Sequence, residues 1–279
     1  MKLEAVDFTA SDAPQKFVES LRQTGFGVLK NHPIEQTLVS SIYANWQTFF
    51  DRESKHQYLY NKGTQDGYFP QSVSEIAKGF KKKDIKEYFH YYPWGQCPAE
   101  LKSELSNYYQ NTSALAAQLL NWIEKESPDD VSKHYSMPLS HMIEDSGQTL
   151  LRVLHYPPLG GDEEIDAIRA AAHEDINLIT LLPASNEPGL QVKATDGSWL
   201  DVPCDFGNLI VNIGDMLQEA SGQYFPSTTH RVVNPEGTDI TKSRISLPLF
   251  LHPRPDVKLS ERHTAGTYLT ERLTELGVL

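Results

Sequence analysis

A mainly β fold with flanking helices is what this sequence predicts: a jelly-roll or sandwich core that follows a mostly helical half and precedes a last helix. Three observations predict it. Apolar residues recur at helical spacing up to about residue 126, short β-prone runs parted by Gly, Pro, Asn and Asp turns begin at Gln148, and helical spacing returns only near Ala265. Many short strands in succession fit packed antiparallel layers rather than a parallel α/β sheet. The expected organisation is one unit over 1–279. A helical region covers 1–147, a jelly-roll core 148–252, and a C-terminal helical segment 253–279.

Taken in order, Ser11 and Asp12 offer helix caps, Phe17, Val18 and Leu21 share a face, and Gly25 is placed to end the helix in a left-handed conformation. Phe26-Gly27-Val28-Leu29 reads as a strand. Pro33 suits a first helical position, and Ile34, Leu38, Ile42 and Trp46 follow at intervals of four as a buried face. Lys62 to Pro98 reads as irregular, because Gly63, Gly67, Pro70, Gly79, Pro93 and Gly95 interrupt it. Within it, Lys81-Lys82-Lys83 suits a solvated face, with attraction of an anionic substrate as the functional alternative. The aromatic run Tyr88 to Trp94 suits core or a covering loop. A long helix is expected from about Glu100 to Glu126, its stripe formed by Leu101, Leu105, Tyr108, Leu115, Leu119, Trp122 and Ile123.

The β-prone runs are Thr149 to Tyr156, Leu178 to Leu182, Gly189 to Val192, Trp199 to Val202, Leu209 to Ile213, Arg231 to Val233 and Ile245 to Leu251; a helix from Ala265 to Leu276 follows. The sequence contains no internal repeat and no low-complexity segment.

Composition narrows the partners. A formal charge of -12 argues against holding nucleic acid or an anionic membrane by general electrostatics, so a small molecule is the expected partner and no protein partner is implied. Two cysteines, Cys97 and Cys204, are too few for a disulfide scaffold and fit a reducing compartment. No apolar run reaches the length of a membrane span, and Met1 to Asp7 lacks the apolar core of a signal peptide, so the expected location is cytoplasmic.

Chemistry enters at Ala172-His173-Glu174-Asp175. If Ala171 to Leu182 forms a strand, His173 and Asp175 project from one face, an imidazole and a carboxylate two residues apart. Chance alone produces His-x-Asp about 0.6 times in such a chain, so context must decide. His230, about four strands later, is the candidate third ligand. Two imidazoles and one carboxylate on adjacent corners of an octahedron leave three positions open, as in non-haem Fe(II) oxygenases. Arg244 and Ser246 again alternate onto one face, where a guanidinium and a hydroxyl suit a carboxylate. Metal-free or structural roles for each remain the alternatives, as does a Zn(II) hydrolase built on the same three ligands. His32 fits a turn before a helix, Asp215 a turn with an outer hydrogen bond as its alternative role, and His252 and His263 lie beyond the strand that carries Arg244.

In combination these residues resemble the isopenicillin-N-synthase-like branch of the Fe(II)/2-oxoglutarate-dependent dioxygenases. The likeness runs through Gly25-Phe26-Gly27, Asn31-His32, Phe49-Phe50, Gly67-Tyr68, Tyr156-Pro157-Pro158, His173-Glu174-Asp175, Gly189 to Val192, Gly207 to Asp215, His230 to Val233 and Arg244-Ile245-Ser246. It implies a double-stranded β-helix in which His173, Asp175 and His230 hold Fe(II) as the catalytic centre. It further implies that Arg244 and Ser246 bind the distal carboxylate of 2-oxoglutarate, that Tyr156 reaches toward this cosubstrate, and that Phe250 lines the substrate pocket. The implied reaction consumes O2 and oxidises a small molecule, hydroxylation being the default, with succinate and CO2 released and ascorbate as a supporting reductant. Two departures stand out. Leu154 occupies a position where members that use 2-oxoglutarate commonly carry Asn, and the stretch from His230 to Arg244 is longer than usual, with a turn at Pro235-Glu236-Gly237. An oxidase of the same fold that does not consume 2-oxoglutarate is the alternative.

Overall fold

The structure, a computed structural model, describes residues 3–73, 84–160, 168–185, 187–203, 205–234, 240–275 and 277. The lysine triplet at 81–83, Gly79, Cys204 and the Pro235-Glu236-Gly237 turn lie outside the described residues.

A first short strand, β1 (Ala5–Asp7), leads into helix α1 (Ala13–Thr24). Gly25 ends the helix at φ 72°, with its N–H donated to the Leu21 carbonyl at 2.7 Å. Strand β2 (Phe26–Lys30) and helix α2 (Gln36–Phe50) follow. The helix starts three residues beyond Pro33, which corrects the expectation that Pro33 opens it. Pro33 instead sits in a turn fixed by His32, whose Nε2–H donates to the Gly207 carbonyl at 2.9 Å while Nδ1 accepts the Ile34 N–H at 3.3 Å. The glycine- and proline-rich stretch is less irregular than expected, because it contains β3 (Gly67–Phe69) and β4 (Glu87–Tyr91). All five residues of β4 are buried, so no alternation marks it in the sequence. Helix α3 (Ala99–Glu126) and the single turns α4 (Asp129–Ser132) and α5 (Leu139–Met142) complete this half.

The second half supplies β5 (Leu150–Tyr156), β6 (Ala170–His173), β7 (Ile179–Pro183), β8 (Leu190–Lys193), β9 (Trp199–Asp201) and β10 (Leu209–Ile213). Helix α6 (Asp215–Ala220), β11 (His230–Val232), β12 (Arg244–Ser246), β13 (Leu249–Leu251) and α7 (Ala265–Glu275) end it. The expected continuous strand from Ile245 to Leu251 is interrupted at Leu247-Pro248, where proline cannot donate to a ladder. Among the described residues the larger sheet runs β1-β2-β10-β7-β13-β5-β4-β3, with β12 also paired to β5, and the smaller runs β6-β11-β8-β9. Only the β1–β2 pair is parallel among those registered.

Side-chain alternation explains how these sheets carry a site. On β5, Leu151 and Val153 pack with Trp46, Phe89, Leu105 and Leu119 in the core between the helices and the larger sheet. Leu154 and Tyr156 face the other way, into a second core shared with Ala170, Leu190, Val192 and Val232 of the smaller sheet. The same division holds on β10, where Leu209, Val211 and Ile213 meet the helices and Ile210 meets the smaller sheet. Trp46 is fully buried, and a side chain of this kind contributes about 1.5–3 kcal/mol through burial. The helices thus fill one face of the larger sheet and leave the other to enclose a cavity.

One polar cluster crosses the helix-side core. Glu87 accepts hydrogen bonds from His155 Nδ1 at 2.7 Å, Lys55 Nζ at 3.0 Å and the Tyr68 hydroxyl, while Gln47 on α2 donates to His155 Nε2 at 3.2 Å. Burial alone would raise the Glu87 pKa, but His155, Tyr68 and Lys55 outweigh it and hold the carboxyl below its usual value.

The backbone beneath the cavity is closely fitted at Gly214, where an added Cβ would stand 2.1 Å from the Asn177 carbonyl oxygen. Gly214→Ala should therefore destabilise the protein by about 1–3 kcal/mol. Thermal unfolding should show a midpoint lowered by roughly 5 °C, and an unchanged midpoint would contradict this packing.

Candidate active site

His173 lies at the end of β6 and pairs with His230, the first residue of β11, across an antiparallel ladder. Their ring centroids are 4.4 Å apart. Asp175 is not on the same strand, as the sequence suggested; β6 stops at His173 and Asp175 stands in the turn before β7. The turn still delivers the carboxylate. Asp175 Oδ1 lies 4.0 Å from His173 Nε2 and 3.8 Å from His230 Nε2, and one ligand atom from each of the three falls within 4.8 Å of the others.

The surroundings aim these atoms. The Nδ1–H of His173 donates to the Ala171 carbonyl at 2.7 Å, and that of His230 to the Thr228 carbonyl at 3.1 Å, so both Nε2 lone pairs face the shared point. Asp175 Oδ2 accepts from Thr180 Oγ1 at 2.6 Å and Asn212 Nδ2 at 2.8 Å, leaving Oδ1 toward the imidazoles. Thr180 and Asn212 project inward from β7 and β10, whose neighbours Ile179, Leu181, Val211 and Ile213 face the helices. Beneath them Asn177 Nδ2 donates to the Ile179 carbonyl at 2.7 Å, and Asp215 supports the turn through its backbone N–H to the Asp175 carbonyl at 2.7 Å.

The protonation states suit a cation. Burial pushes the Asp175 carboxyl up, but His230, His173, Asn212 and Thr180 outweigh it and hold the carboxyl below its usual range. His173 opens 38% of its side-chain surface to the cavity, yet the protein around it excludes enough water to lower its pKa from 6.5 to about 4, with His230 adding to the shift. Two imidazoles and a carboxylate fit a divalent metal of borderline hardness.

The cavity containing the triad is also lined by Tyr156, Arg244, Ser246 and Phe250, so the structure brings all seven sequence-predicted residues together. Arg244 pairs in register with Tyr156, its guanidinium carbon 5.3 Å from the phenol ring centroid. Its Nε donates to Ser185 Oγ at 3.2 Å, while Nη1 is buried without a partner among the described residues. A buried cationic donor in that condition is costly and calls for an anion. Leu154 pairs with Ser246 and presents an apolar side chain to the cavity. Phe26 contributes an edge-on ring 5.5 Å from that of His230.

Several residues escaped the sequence reading. Arg169, 1% exposed, has its guanidinium carbon 5.9 Å from the Tyr156 ring centroid, donates from Nη2 to the Lys242 carbonyl at 2.9 Å, and has its pKa lowered by burial and by Arg244. Nothing in its local sequence marks it. Lys86 and Arg152 also line the cavity. Arg152 carried a signal, since it shares the period-two face of Leu154 and Tyr156. His263 lies outside this cavity, 3.9 Å from Glu271, and His32 serves its turn. A separate hollow of about 560 Å³, bordered by Ser113, His141 and Glu144, shares no lining residue with the site.

Comparison with known proteins agrees with this geometry. Residues 147–253 match the 2OG-Fe(II) oxygenase superfamily, and residues 3–112 match the N-terminal region of a non-haem dioxygenase in morphine synthesis. A Caulobacter crescentus protein assigned to the 2OG-Fe(II) oxygenase family is 32% identical, with a TM-score of 0.82 and coverage of 98% of this chain and 99% of that one. The chain belongs to the 2OG-Fe(II) oxygenase family. A Shewanella oneidensis protein described provisionally as an oxygenase is 64% identical, with a TM-score of 0.92 and full coverage of both chains. A proline hydroxylase from Petromyces alliaceus is 28% identical over 93% of this chain and 90% of its own length. This family member is therefore an enzyme that uses Fe(II) and 2-oxoglutarate, which sets aside the zinc-hydrolase, metal-free and 2-oxoglutarate-independent alternatives. Among the described residues no helix is long and apolar enough to cross a membrane.

Two outcomes follow. Thr180→Val or Asn212→Leu should weaken Fe(II) or Co(II) binding by roughly 10–100-fold, measured by anaerobic metal titration; unchanged affinity would show that these donors do not set the carboxylate. Because the folded pKa of His173 is depressed, its contribution to stability is complete above about 6.5 and is lost as pH falls toward about 4. Urea unfolding of the metal-free protein should show that loss, with a shallower slope in His173→Asn; identical slopes would contradict it.

Proposed function

We propose that this enzyme hydroxylates a small molecule, with His173, Asp175 and His230 holding Fe(II) and with Arg244, Ser246 and Tyr156 holding 2-oxoglutarate. The observation that carries the reading is the buried, unpartnered Arg244 Nη1 in the same cavity as the convergent triad. The residues fit the groups chemically: the three ligands suit a divalent ion, and the guanidinium with its neighbouring hydroxyl suits a carboxylate.

When bound, iron and 2-oxoglutarate together activate O2, and the oxo acid leaves as CO2 and succinate. The protein's part is to place and to exclude. Thr180 and Asn212 keep the Asp175 carboxylate from turning, and the Ala171 and Thr228 carbonyls keep both imidazoles in one tautomer. Arg244, held by Ser185 and flanked by Tyr156, supplies the cationic grip that fixes the orientation of the diacid and lowers the entropic cost of reaction. Leu154 contributes no hydrogen bond, so this grip rests on Arg244, Ser246 and Tyr156. Phe26, Leu154, Leu182, Leu190, Val232 and Phe250 make an apolar part of the wall that restricts water, beside Lys86 and Arg152.

A small-molecule substrate is supported by the enclosed position of the triad and by relatives such as the proline hydroxylase. The larger sheet takes strands from both halves of the chain, which supports one dioxygenase unit over 1–279 rather than separable parts.

Anaerobic addition of Fe(II) and 2-oxoglutarate to the apoprotein should produce the visible charge-transfer absorption of the chelate. His173→Ala should abolish it. Arg244→Leu should raise the 2-oxoglutarate concentration needed by roughly 30-fold or more, as loss of a buried charge-assisted contact requires. Absence of the absorption in the parent, or its survival in His173→Ala, would overturn the reading.

A further inference from the structure

Two buried guanidinium groups border the Tyr156 ring. The Arg244 guanidinium carbon lies 5.3 Å from the ring centroid and that of Arg169 5.9 Å. Arg244 is 4% exposed and Arg169 1%. Among the described residues each keeps one buried nitrogen without a hydrogen-bond partner, Nη1 of Arg244 and Nε of Arg169.

Arg169 is anchored where the two sheets meet. Its backbone N–H donates to Asn234 Oδ1 at 3.0 Å, just beyond β11, and its Nη2 donates to the Lys242 carbonyl at 2.9 Å, two residues before Arg244. That carbonyl is a neutral acceptor, as is the Ser185 hydroxyl that receives Arg244 Nε, so neither bond cancels a positive charge. Glu187 does attract Arg169, but more weakly than Arg244 repels it, and the Glu187 carboxylate sits 3.8 Å from Lys242 Nζ. An arginine stays charged under such pressure, so two like charges held together away from water cost free energy until an anion joins them. Leu154, on the strand that carries Tyr156, offers that anion no hydrogen bond.

From this placement we infer that Arg169 is a positioning residue for the cosubstrate, adding its charge to that of Arg244 and bracing Tyr156 so that the far carboxylate is held more tightly. Arg244 makes the contact, and Arg169 acts through the field and through the ring. The inference rests on the proposed 2-oxoglutarate reading and deepens it. Two positive charges select a charged far end, in place of the hydrogen bond that Leu154 cannot form.

The test uses the full-length protein, loaded anaerobically with Fe(II) and titrated with 2-oxoglutarate or with the amide of its far carboxylate, which keeps the chelating end but loses the distant charge. The readout is the concentration that half-forms the chelate absorption. Arg169→Gln should raise that concentration roughly 10-fold for the acid and by less than about twofold for the amide, because only the acid feels the lost charge. Arg169→Lys should restore most of the acid's advantage. Equal weakening of acid and amide marks a merely structural role and overturns the inference, as does an unchanged acid affinity or an Arg169→Lys that behaves like Arg169→Gln. If Arg169→Gln no longer binds Fe(II), Glu187→Gln decides: removing the acid that opposes Arg169 should widen the acid-over-amide ratio by roughly two- to threefold, and an unchanged ratio overturns the inference. A parent that forms no chelate with 2-oxoglutarate overturns the functional reading itself, whereas a parent chelate indifferent to these changes overturns this inference alone.

Discussion

The pairing of His230 with His173 is the constraint on which this molecule's chemistry depends. Antiparallel register fixes which side chains share a face, and a slip by one residue would turn one imidazole away from the other. The ladder is itself irregular between His230 and Val232, so this end of the smaller sheet is adjusted rather than uniform. Burial and the neighbouring His230 ring hold the His173 pKa down, which keeps that imidazole available as a ligand. The larger sheet then has one task at this point, to present a carboxylate across the gap.

That task is shared among residues with no metal-binding chemistry of their own. The turn between β6 and β7 carries Asp175, and close approach of Gly214 to the Asn177 carbonyl keeps the turn seated against β10. Thr180 and Asn212 occupy one carboxylate oxygen and thereby direct the other. Helices α1, α2 and α3 act at a distance: by covering the outward residues of β5, β7 and β10, they determine that the inward residues meet the smaller sheet. Backbone register, turn and helical support therefore converge on a few ångströms of space.

Much of this was legible because periodicity carries it. The β-prone run Thr149 to Tyr156 was recognisable as a strand, and the motifs His173-Glu174-Asp175, His230 and Arg244-Ile245-Ser246 named five residues that line the cavity. Other features were hidden for physical reasons. Strand β4 is buried on both faces and is set among glycines and prolines, so neither pattern nor propensity revealed it. Asp175 reached the right place by a turn rather than by strand alternation, which sequence spacing alone does not distinguish. Arg169 acquires its meaning from a neighbour far along the chain, Lys242. Pro33 resembled a helix start because its φ suits one, but His32 and Gly207 claim the turn first.

The central claim is that His173, Asp175 and the distant His230 share one iron while Arg244 faces a diacid in the same cavity. Anomalous diffraction at the iron edge, from crystals grown without oxygen in the presence of Fe(II) and 2-oxoglutarate, tests it most directly. The account predicts a single iron peak bonded to His173 Nε2, His230 Nε2 and the Asp175 carboxylate, with the far carboxylate of 2-oxoglutarate against the Arg244 guanidinium. Iron bound elsewhere, or 2-oxoglutarate oriented away from Arg244, would contradict it.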